Sequence, residues 1–487
     1  MKRLTFIIFV TLYCITQVSA QKLSVTFPDS LFNKSFTGNI LVYLSKDNKE
    51  PKDGIVGLDI FPCLRLSVNN IKPGSSVILN DSAISFPVPL TDMERGDYYI
   101  QVVWDRNLGG RSVSESPGNL YSITQKIKFT KDFHKVYSIT ASSIVAEPVF
   151  KNTAYAKEII VQSSLLSNFH HVPTTINGVV LLPAKYYSEP NRKFPVKFEI
   201  SGYGGDYHRY SGYNKPAQMI DTTNCIVVFL DGNCALGHSV YANSDNNGPW
   251  GDALTKELIP EIEKTYRCNG AKFLYGHSSG GWAVLWLQTH YPKVFDGCWS
   301  SSPDPVDFRS FQRVNLYEHQ NMYYGKDSTL NQIGTVDGAF PWFSMRNTYQ
   351  MEQVIYRGEQ MRSFDAVFSK KGGDGQPLRI INYNTGAVDS TVFMNWKNYD
   401  ISLYLQSNWD HLKNDLDGKV MVSVGNQDNF YLNFSVKLLD GEMQKLKSNF
   451  VFAYYTGDHF LVELPDNMKE GNIFLEKVYQ KWLKKRG

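Results

Sequence analysis

The sequence predicts an α/β domain with a mostly parallel sheet and a cap insertion, preceded by an all-β sandwich, and three observations predict it. Residues 21 to about 150 read as short strands separated by Gly, Asp, Asn and Pro, with no helical stretch. From there on, buried apolar runs alternate with helix-period segments, the pattern of a largely parallel sheet. Between 305 and about 415 the alternation stops in an aromatic-rich stretch longer than an ordinary connection. A length of 487 residues accommodates two to four domains of ordinary size.

Taken in order, residues 1–20 carry the marks of a secretory signal. Lys2-Arg3 is a short positive region, Leu4 to Val18 is mostly apolar, and Val18-Ser19-Ala20 supplies small residues before a cleavage expected ahead of Gln21. Bulky Tyr13 before Cys14 speaks against a lipoprotein. The expectation is an exported protein, secreted or periplasmic, with no membrane attachment after cleavage. No later run reaches the roughly 18 apolar residues of a spanning helix.

Residues 21–150 are expected to form an Ig-like β-sandwich. Leu23 to Phe27 alternates strictly and Asn39 to Leu44 in part; Tyr98 to Trp104, Tyr121 to Phe129 and Val136 to Val145 follow. With one tryptophan, Trp104, this unit reads as a structural or spacer domain rather than a carbohydrate-binding platform. Glu147 to Lys157 is the expected junction. The α/β part then spans 151–487, with strands at Gly178–Leu182, Phe194–Ile200, Cys225–Leu230, Lys272–Tyr275, Val420–Val424 and Phe450–Tyr455. Helices are expected at Asp252–Tyr266, kinked by Pro260, at Trp282–His290 and at Ser435–Lys447. The stretch 305–415 is read as a cap.

Composition narrows the function classes. Fifty Lys+Arg against 47 Asp+Glu give a net charge of +3, with no basic cluster inside the chain, so nucleic acid is not an expected partner. A 42% hydrophobic fraction with 14% aromatic residues excludes a disordered chain. Cys63, Cys225, Cys234, Cys268 and Cys298 follow the signal, an odd number with no metal-ligand spacing. They read as buried small hydrophobes with room for a bridge.

The chemistry is carried by Gly276-His277-Ser278-Ser279-Gly280-Gly281. This G-x-S-x-G turn follows the apolar strand Phe273-Leu274-Tyr275 and opens a helix, which is the context a nucleophile elbow requires. Ser278 is the candidate nucleophile. A serine hydroxyl needs a histidine to take its proton, and the histidine needs a carboxylate to hold its tautomer. Of the later histidines, His290 lies on the elbow's own helix, and His319 and His411 fall in the insertion. His459 follows a strand in Thr456-Gly457-Asp458-His459-Phe460, so it is the candidate base. Asp428 closes the preceding strand and is the candidate acid, because adjacent Asp458 would not face the histidine. Two backbone donors are expected to bind the oxyanion: the amide of Ser279 and that of Tyr203, with Gly204 as fallback, in the loop Ser201–Gly205. That loop lacks the spacing of a nucleotide site. His170, His171 and His208 have no metal-spaced partner, so neither metal nor cofactor is expected. His277 reads as a packing residue. Asn33, Asn80 and Asn433 begin glycosylation sequons.

Three motifs go further than a triad: GHSSGG at 276–281, NGPWGDALTKELIPEIEKTY at 247–266, and GNQDNF at 425–430 with TGDHF at 456–460. On these, residues from about 175 to 300 and 418 to 485 resemble the putative-esterase family of α/β-hydrolases, which includes esterase D, feruloyl esterases, enterochelin esterases and mycolyltransferases. The resemblance implies an α/β-hydrolase fold and a serine esterase with Ser278, Asp428 and His459 as triad, and supports Tyr203, whose counterpart follows a glycine. Ser201-Gly202 replaces the family's frequent His-Gly, and the insertion is longer than simple members carry. The expected function is an exported serine hydrolase cleaving carboxylic esters through an acyl-enzyme, with acyl or feruloyl groups on carbohydrate as the substrate class. The rivals are an acyltransferase using the same triad and a binding protein on a hydrolase fold.

Overall fold

Alternation sets the faces of the first strand, Lys22–Thr26, which buries Leu23 and Val25 because successive side chains of a strand point to opposite sides. The structure, a computed structural model, describes residues 21–54, 60–130, 135–336, 339–460 and 464–486; the expected signal at 1–20 lies outside them. Among the described residues, Lys22–Thr26 pairs with Val77–Leu79 and Val136–Thr140 in one sheet. A larger sheet runs Ser143–Ile144, Leu120–Tyr121, Gly96–Asp105, Phe36–Ser45, Cys63–Ile71, Ile84–Phe86, with Gln125–Phe129 also on Gly96–Asp105. The two sheets share a core centred on Trp104, whose ring meets Phe27 and Phe36 edge-on at 4.9 and 5.0 Å.

Partial alternation in Phe36–Ser45 has a structural reason. Leu41 and Tyr43 point away from that core, yet they are buried, together with Val103, against Met351, Val354 and Ile355 of the insertion. Both faces of the strand are covered, so its apolar run is continuous.

The eight-stranded sheet of the α/β part comprises β1 (Ala156–Gln162), β2 (Thr175–Leu181), β3 (Phe194–Ile200), β4 (Ile226–Leu230), β5 (Cys268–His277), β6 (Gly297–Ser301), β7 (Val420–Gly425) and β8 (Val451–Tyr455). Their order is β1-β2-β4-β3-β5-β6-β7-β8. β2 pairs antiparallel with β1 and β4, and all other neighbours are parallel. This is the α/β-hydrolase fold with a mostly parallel sheet. Chain order reverses around β3, which lies between β4 and β5, and a crevice opens beyond the carboxyl ends of strands at such a point.

Helix α1 (Ser279–His290) follows β5 and is buried from Ser279 through Thr289. A helix apolar on all sides needs cover on all sides. The sheet supplies one face; Tyr399 and α4 (Ile401–Leu416) supply another, with Tyr399 stacked 5.3 Å from Trp286 and Tyr404 4.0 Å from His290. α4 therefore belongs to the layer over the sheet, although it falls within the stretch read as cap. The rest of that stretch holds a hairpin (Gln332–Val336 with Phe340–Ser344), α2 (Met345–Ile355), α3 (Gln360–Phe368) and Ser390–Trp396. Phe368 contacts both Trp396 and Trp282 of α1, at 5.1 and 5.4 Å, so insertion and sheet share one core.

The segment 250–265 is helical as expected, but Pro260 does not simply kink it. A π-helical turn, Leu254–Leu258, precedes the proline; the missing N–H at Pro260 breaks the regular bonding register, and the wider turn absorbs the change. α5 (Leu432–Lys445) and α6 (Pro465–Arg486) complete the chain. The five cysteines are free thiols, and burial pushes Cys225 up to about 11 and Cys234 and Cys268 up to about 12, so the bridge the sequence left room for is not formed. Asn433 is buried, its amide donating to Asn426 O at 2.9 Å. No helix among the described residues is long and apolar enough to cross a membrane.

Candidate active site

β5 ends at His277 and α1 begins at Ser279, so Ser278 alone makes the turn. Its backbone sits at φ 59°, ψ −125°, a conformation that costs an L-residue about 1–3 kcal/mol. Glycines let the surroundings enforce it. A Cβ on Gly280 would lie 2.0 Å from Ile200 O, and one on Gly276 2.2 Å from Gly280 O. Without side chains at these positions the elbow packs directly on the end of β3.

Asp428, the candidate acid, lies just past β7. Asp428 Oδ1 accepts from the N–H groups of Phe430 (2.9 Å) and Leu432 (3.3 Å), leaving Oδ2 to accept from His459 Nδ1 at 2.7 Å. Both side chains are buried. A carboxylate can only accept, so the imidazole proton sits on Nδ1 and Nε2 presents its lone pair. His459 follows β8, and its position depends on the neighbouring loop. A Cβ on Gly425 would meet Gly457 O and Asp458 O at 2.5 Å, and His459 N–H donates to Asn429 Oδ1 at 2.9 Å. Asn429 in turn donates to Thr335 O at 2.8 Å, tying the histidine loop to the hairpin of the insertion. Phe430 and Phe460 meet the imidazole edge-on at 4.9 and 5.4 Å. Asp458 instead accepts from Phe460 N–H.

The loop after β3 closes over Ser278. A Cβ on Gly202 would lie 3.1 Å from Ser278 Cβ and 3.2 Å from His277 O. Gly205 N–H donates to Gly202 O at 3.1 Å and Gly204 has φ +83°, the features of a type II turn with Tyr203 and Gly204 at its centre. Ser201 Oγ donates to Asp231 O (3.1 Å), and Ser201 O lies 3.1 Å from Nε2 of buried His238. Burial lowers His238 to about 4, so this ring is neutral. As the first residue of α1, Ser279 has a backbone N–H with no intrahelical acceptor, at the positive end of the helix.

Ser278 and His459 line one cavity of about 540 Å³, together with Gly202, Tyr203 and Gly204. The other histidines lie elsewhere or do other work. His290 stacks on Trp286 at 3.5 Å; His319 and His411 are exposed. His277 does reach the cavity, 4.4 Å from the His459 ring, but burial first and the neighbouring histidine second hold it well below the usual range. Among the described residues no cluster of His, Cys, Asp or Glu is arranged to share a metal ion.

Sequence reasoning missed two sets of cavity residues. Asp304, after β6, accepts from Ser279 Oγ at 2.5 Å, and its carboxyl is pushed up to about 6, mainly by burial. The second set comes from outside the α/β part. Arg111, Ser112 and Ser114 of the N-terminal sandwich, with Glu359 and Gln360 of the insertion, complete the cavity wall. Arg111 donates to the Tyr203 phenol at 2.8 Å and the phenol donates to Glu359 Oε2 at 2.6 Å. The sandwich, read from sequence as a spacer, thus reaches the site. No local pattern announces this, since Arg111 and Tyr203 lie 92 residues apart.

The model of a family described as putative esterase matches residues 170–465. No curated protein matches the sequence. Among solved structures, a ferulic acid esterase is 13% identical, with 66% of this chain and 98% of that one covered at a TM-score of 0.40. A fluorophosphonate-binding serine hydrolase of Staphylococcus aureus is 13% identical (66% and 97% covered, TM-score 0.39). An S-formylglutathione hydrolase from Agrobacterium tumefaciens is 12% identical (69% and 97%, TM-score 0.37). At such scores the fold rests on the sheet order and the family match.

Proposed function

The chain belongs to the putative esterase family and is a carboxylic-ester hydrolase, and from that premise we propose that it is an exported serine esterase working through an acyl-enzyme on Ser278. The observation that carries the reading is the buried 2.7 Å bond between Asp428 and His459 Nδ1, with His459 and Ser278 on the wall of the same cavity.

Ser278 Oγ attacks the ester carbonyl while His459 Nε2 takes its proton. Asp428 holds the tautomer and stabilises the imidazolium that forms. The N–H groups of Ser279 and Tyr203 bind the oxyanion, a contribution of about 3–4 kcal/mol for a single donor in comparable sites. His459 then protonates the leaving alkoxide, and the alcohol departs. Water, deprotonated by His459, attacks the acyl-enzyme through a second oxyanion, and the acid is released with Ser278 restored.

The cavity supports an aromatic acyl group on a polar alcohol. Phe343, Phe430 and Phe460 form an apolar wall, and Ser112, Ser114 and Glu115 supply polar lining. Feruloyl or related acyl groups on carbohydrate fit that division. Export rests on the signal-like segment 1–20. The test is hydrolysis of nitrophenyl acetate, nitrophenyl butyrate and methyl ferulate by the chain from Gln21 onward, beside Ser278→Ala. Activity lost in the variant, with fluorophosphonate labelling lost in parallel, supports the reading. A variant as active as wild type removes Ser278 from the chemistry.

A further inference from the structure

The geometry points to Arg111, carried by the N-terminal sandwich, as a positioning residue that sets the oxyanion loop through the Tyr203 side chain. The inference rests on the reading of Tyr203 as an oxyanion donor and adds what holds that donor in place.

Tyr203 sits at the centre of a tight turn whose Gly202 lies against Ser278. A turn of this kind fixes the direction of its N–H groups only if something fixes the turn. Here the anchor is the phenol. Arg111 Nη1 donates to its oxygen at 2.8 Å and the guanidinium lies 4.8 Å from its ring centroid, while the phenol O–H is shared between Glu359 Oε2 (2.6 Å) and Gly358 O (3.0 Å). Arg111 Nη1 also donates to Gly358 O at 3.2 Å, closing a ring of contacts among sandwich, oxyanion loop and insertion.

Arg111 is itself held firmly. Its carbonyl accepts from Arg357 Nη1 at 3.1 Å, and the carbonyl of Gly110 accepts from the same nitrogen at 2.6 Å. Gly358, at φ +79°, comes so close that a Cβ there would lie 2.0 Å from Arg111 O. The far end of the loop is pinned by Asn119, whose amide donates to Asp105 Oδ1 and to Val113 O, both at 2.8 Å. A side chain serving only to fill the cavity wall would need no such backing. Oxyanion donors work when they are aimed before the charge develops, and this network aims one of them.

The test is a double-mutant cycle on the chain from Gln21: Arg111→Ala, Tyr203→Phe, the pair together, and Arg111→Lys, with Ser278→Ala as reference. The readouts are kcat and KM on nitrophenyl butyrate. Arg111→Ala is expected to lower kcat about tenfold to a hundredfold, at or below the loss of an oxyanion donor itself, with KM within about threefold. The double variant is expected to be no slower than the slower single, because both remove one linkage. Arg111→Lys keeps a charged donor and is expected to recover part of kcat. If Arg111→Ala does not fold, Tyr203→Phe and Arg111→Lys carry the same comparison. An effect confined to KM would make Arg111 a substrate contact and overturn the inference, as would full additivity or an unchanged kcat. If Ser278→Ala keeps full activity, the triad reading fails instead; if it is inactive while the Arg111 variants keep full kcat, only the positioning role falls.

Discussion

Replacing Arg357 with methionine is expected to destabilise the protein by about 3–5 kcal/mol, the range for breaking a buried ion pair from one side. The structure supplies the reasons for that size. Arg357 and Asp105 are 1% and 0% exposed and bond twice, Nη2 to Oδ1 at 2.7 Å and Nε to Oδ2 at 3.0 Å. The third guanidinium nitrogen serves the carbonyls of Gly110, Arg111 and Ala235. Methionine fills the space but leaves Asp105 with only neutral donors, the side chains of Tyr356 and Asn119 and the N–H of Asn107. Burial by itself would raise the Asp105 carboxyl; the Arg357 charge and the bonds from Arg357 and Tyr356 outweigh it and hold the group below its usual range. In wild type, that pair stabilises above the carboxylate range and weakens as pH falls through the lowered value. In the variant the sign reverses, because the carboxyl moves up and its penalty is relieved by protonation. The difference between the two proteins is therefore expected to be largest near pH 7 and to shrink toward pH 5. Urea denaturation at both pH values measures it, beside Asp105→Leu and the double variant Arg357→Met/Asp105→Leu, in which no unpaired charge remains and most of the stability returns. A single-variant loss under about 1 kcal/mol, or a double variant as unstable as the sum of the singles, refutes the reasoning.

Three further outcomes are expected. Asp428→Asn keeps the shape of the acid but not its charge or the Nδ1–H tautomer, so kcat should fall on the order of 10⁴-fold with unchanged circular dichroism; steady-state kinetics checks it. Gly202→Ala puts a methyl 3.1 Å from Ser278 Cβ, so the loop 201–205, proposed to bind the oxyanion, must retreat by a few tenths of an ångström; kcat should drop about tenfold or more while thermal stability changes little. Glu352 is pushed up to about 8, first by burial and then by Glu359, so its native state holds a proton the unfolded chain has released. Its contribution is present below the ordinary glutamate range and is lost as pH rises from there through about 8. Glu352→Gln should flatten the fall in melting temperature between pH 6 and 9, and an unchanged slope would count against a buried neutral Glu352.

Much of the α/β sheet was legible because its strands are apolar runs bounded by turns: Phe194–Ile200, Ile226–Leu230 and Val420–Gly425 announce themselves in that way. Gly297–Ser301 did not, since a Gly-Cys-Trp-Ser-Ser strand is buried by its position between β5 and β7 rather than by its hydrophobicity. Edge strand Ala156–Gln162 exposes part of its length and reads weakly for the opposite reason.

Ser278, Asp428 and His459 could be picked out from sequence as triad candidates because each follows a strand end in a loop with its own local signature, and chain order then limits which can meet. The backbone chemistry of the site is local in the same sense: Gly276, Gly280 and Gly202 are needed where two backbones touch. Arg111, Asp304 and Glu359 have no local signature. Their roles come from pairings across the fold, 92 residues from Arg111 to Tyr203, 156 from Tyr203 to Glu359 and 25 from Ser279 to Asp304. Periodicity reports which side of an element is buried, not which distant charge shares that burial. The sequence alone determined the strands, the elbow and the order of the triad candidates, because those follow from short-range sterics and hydrophobic pattern. Only the tertiary structure decided that the N-terminal sandwich supplies a wall of the cavity, because that depends on where two long-separated loops come to rest.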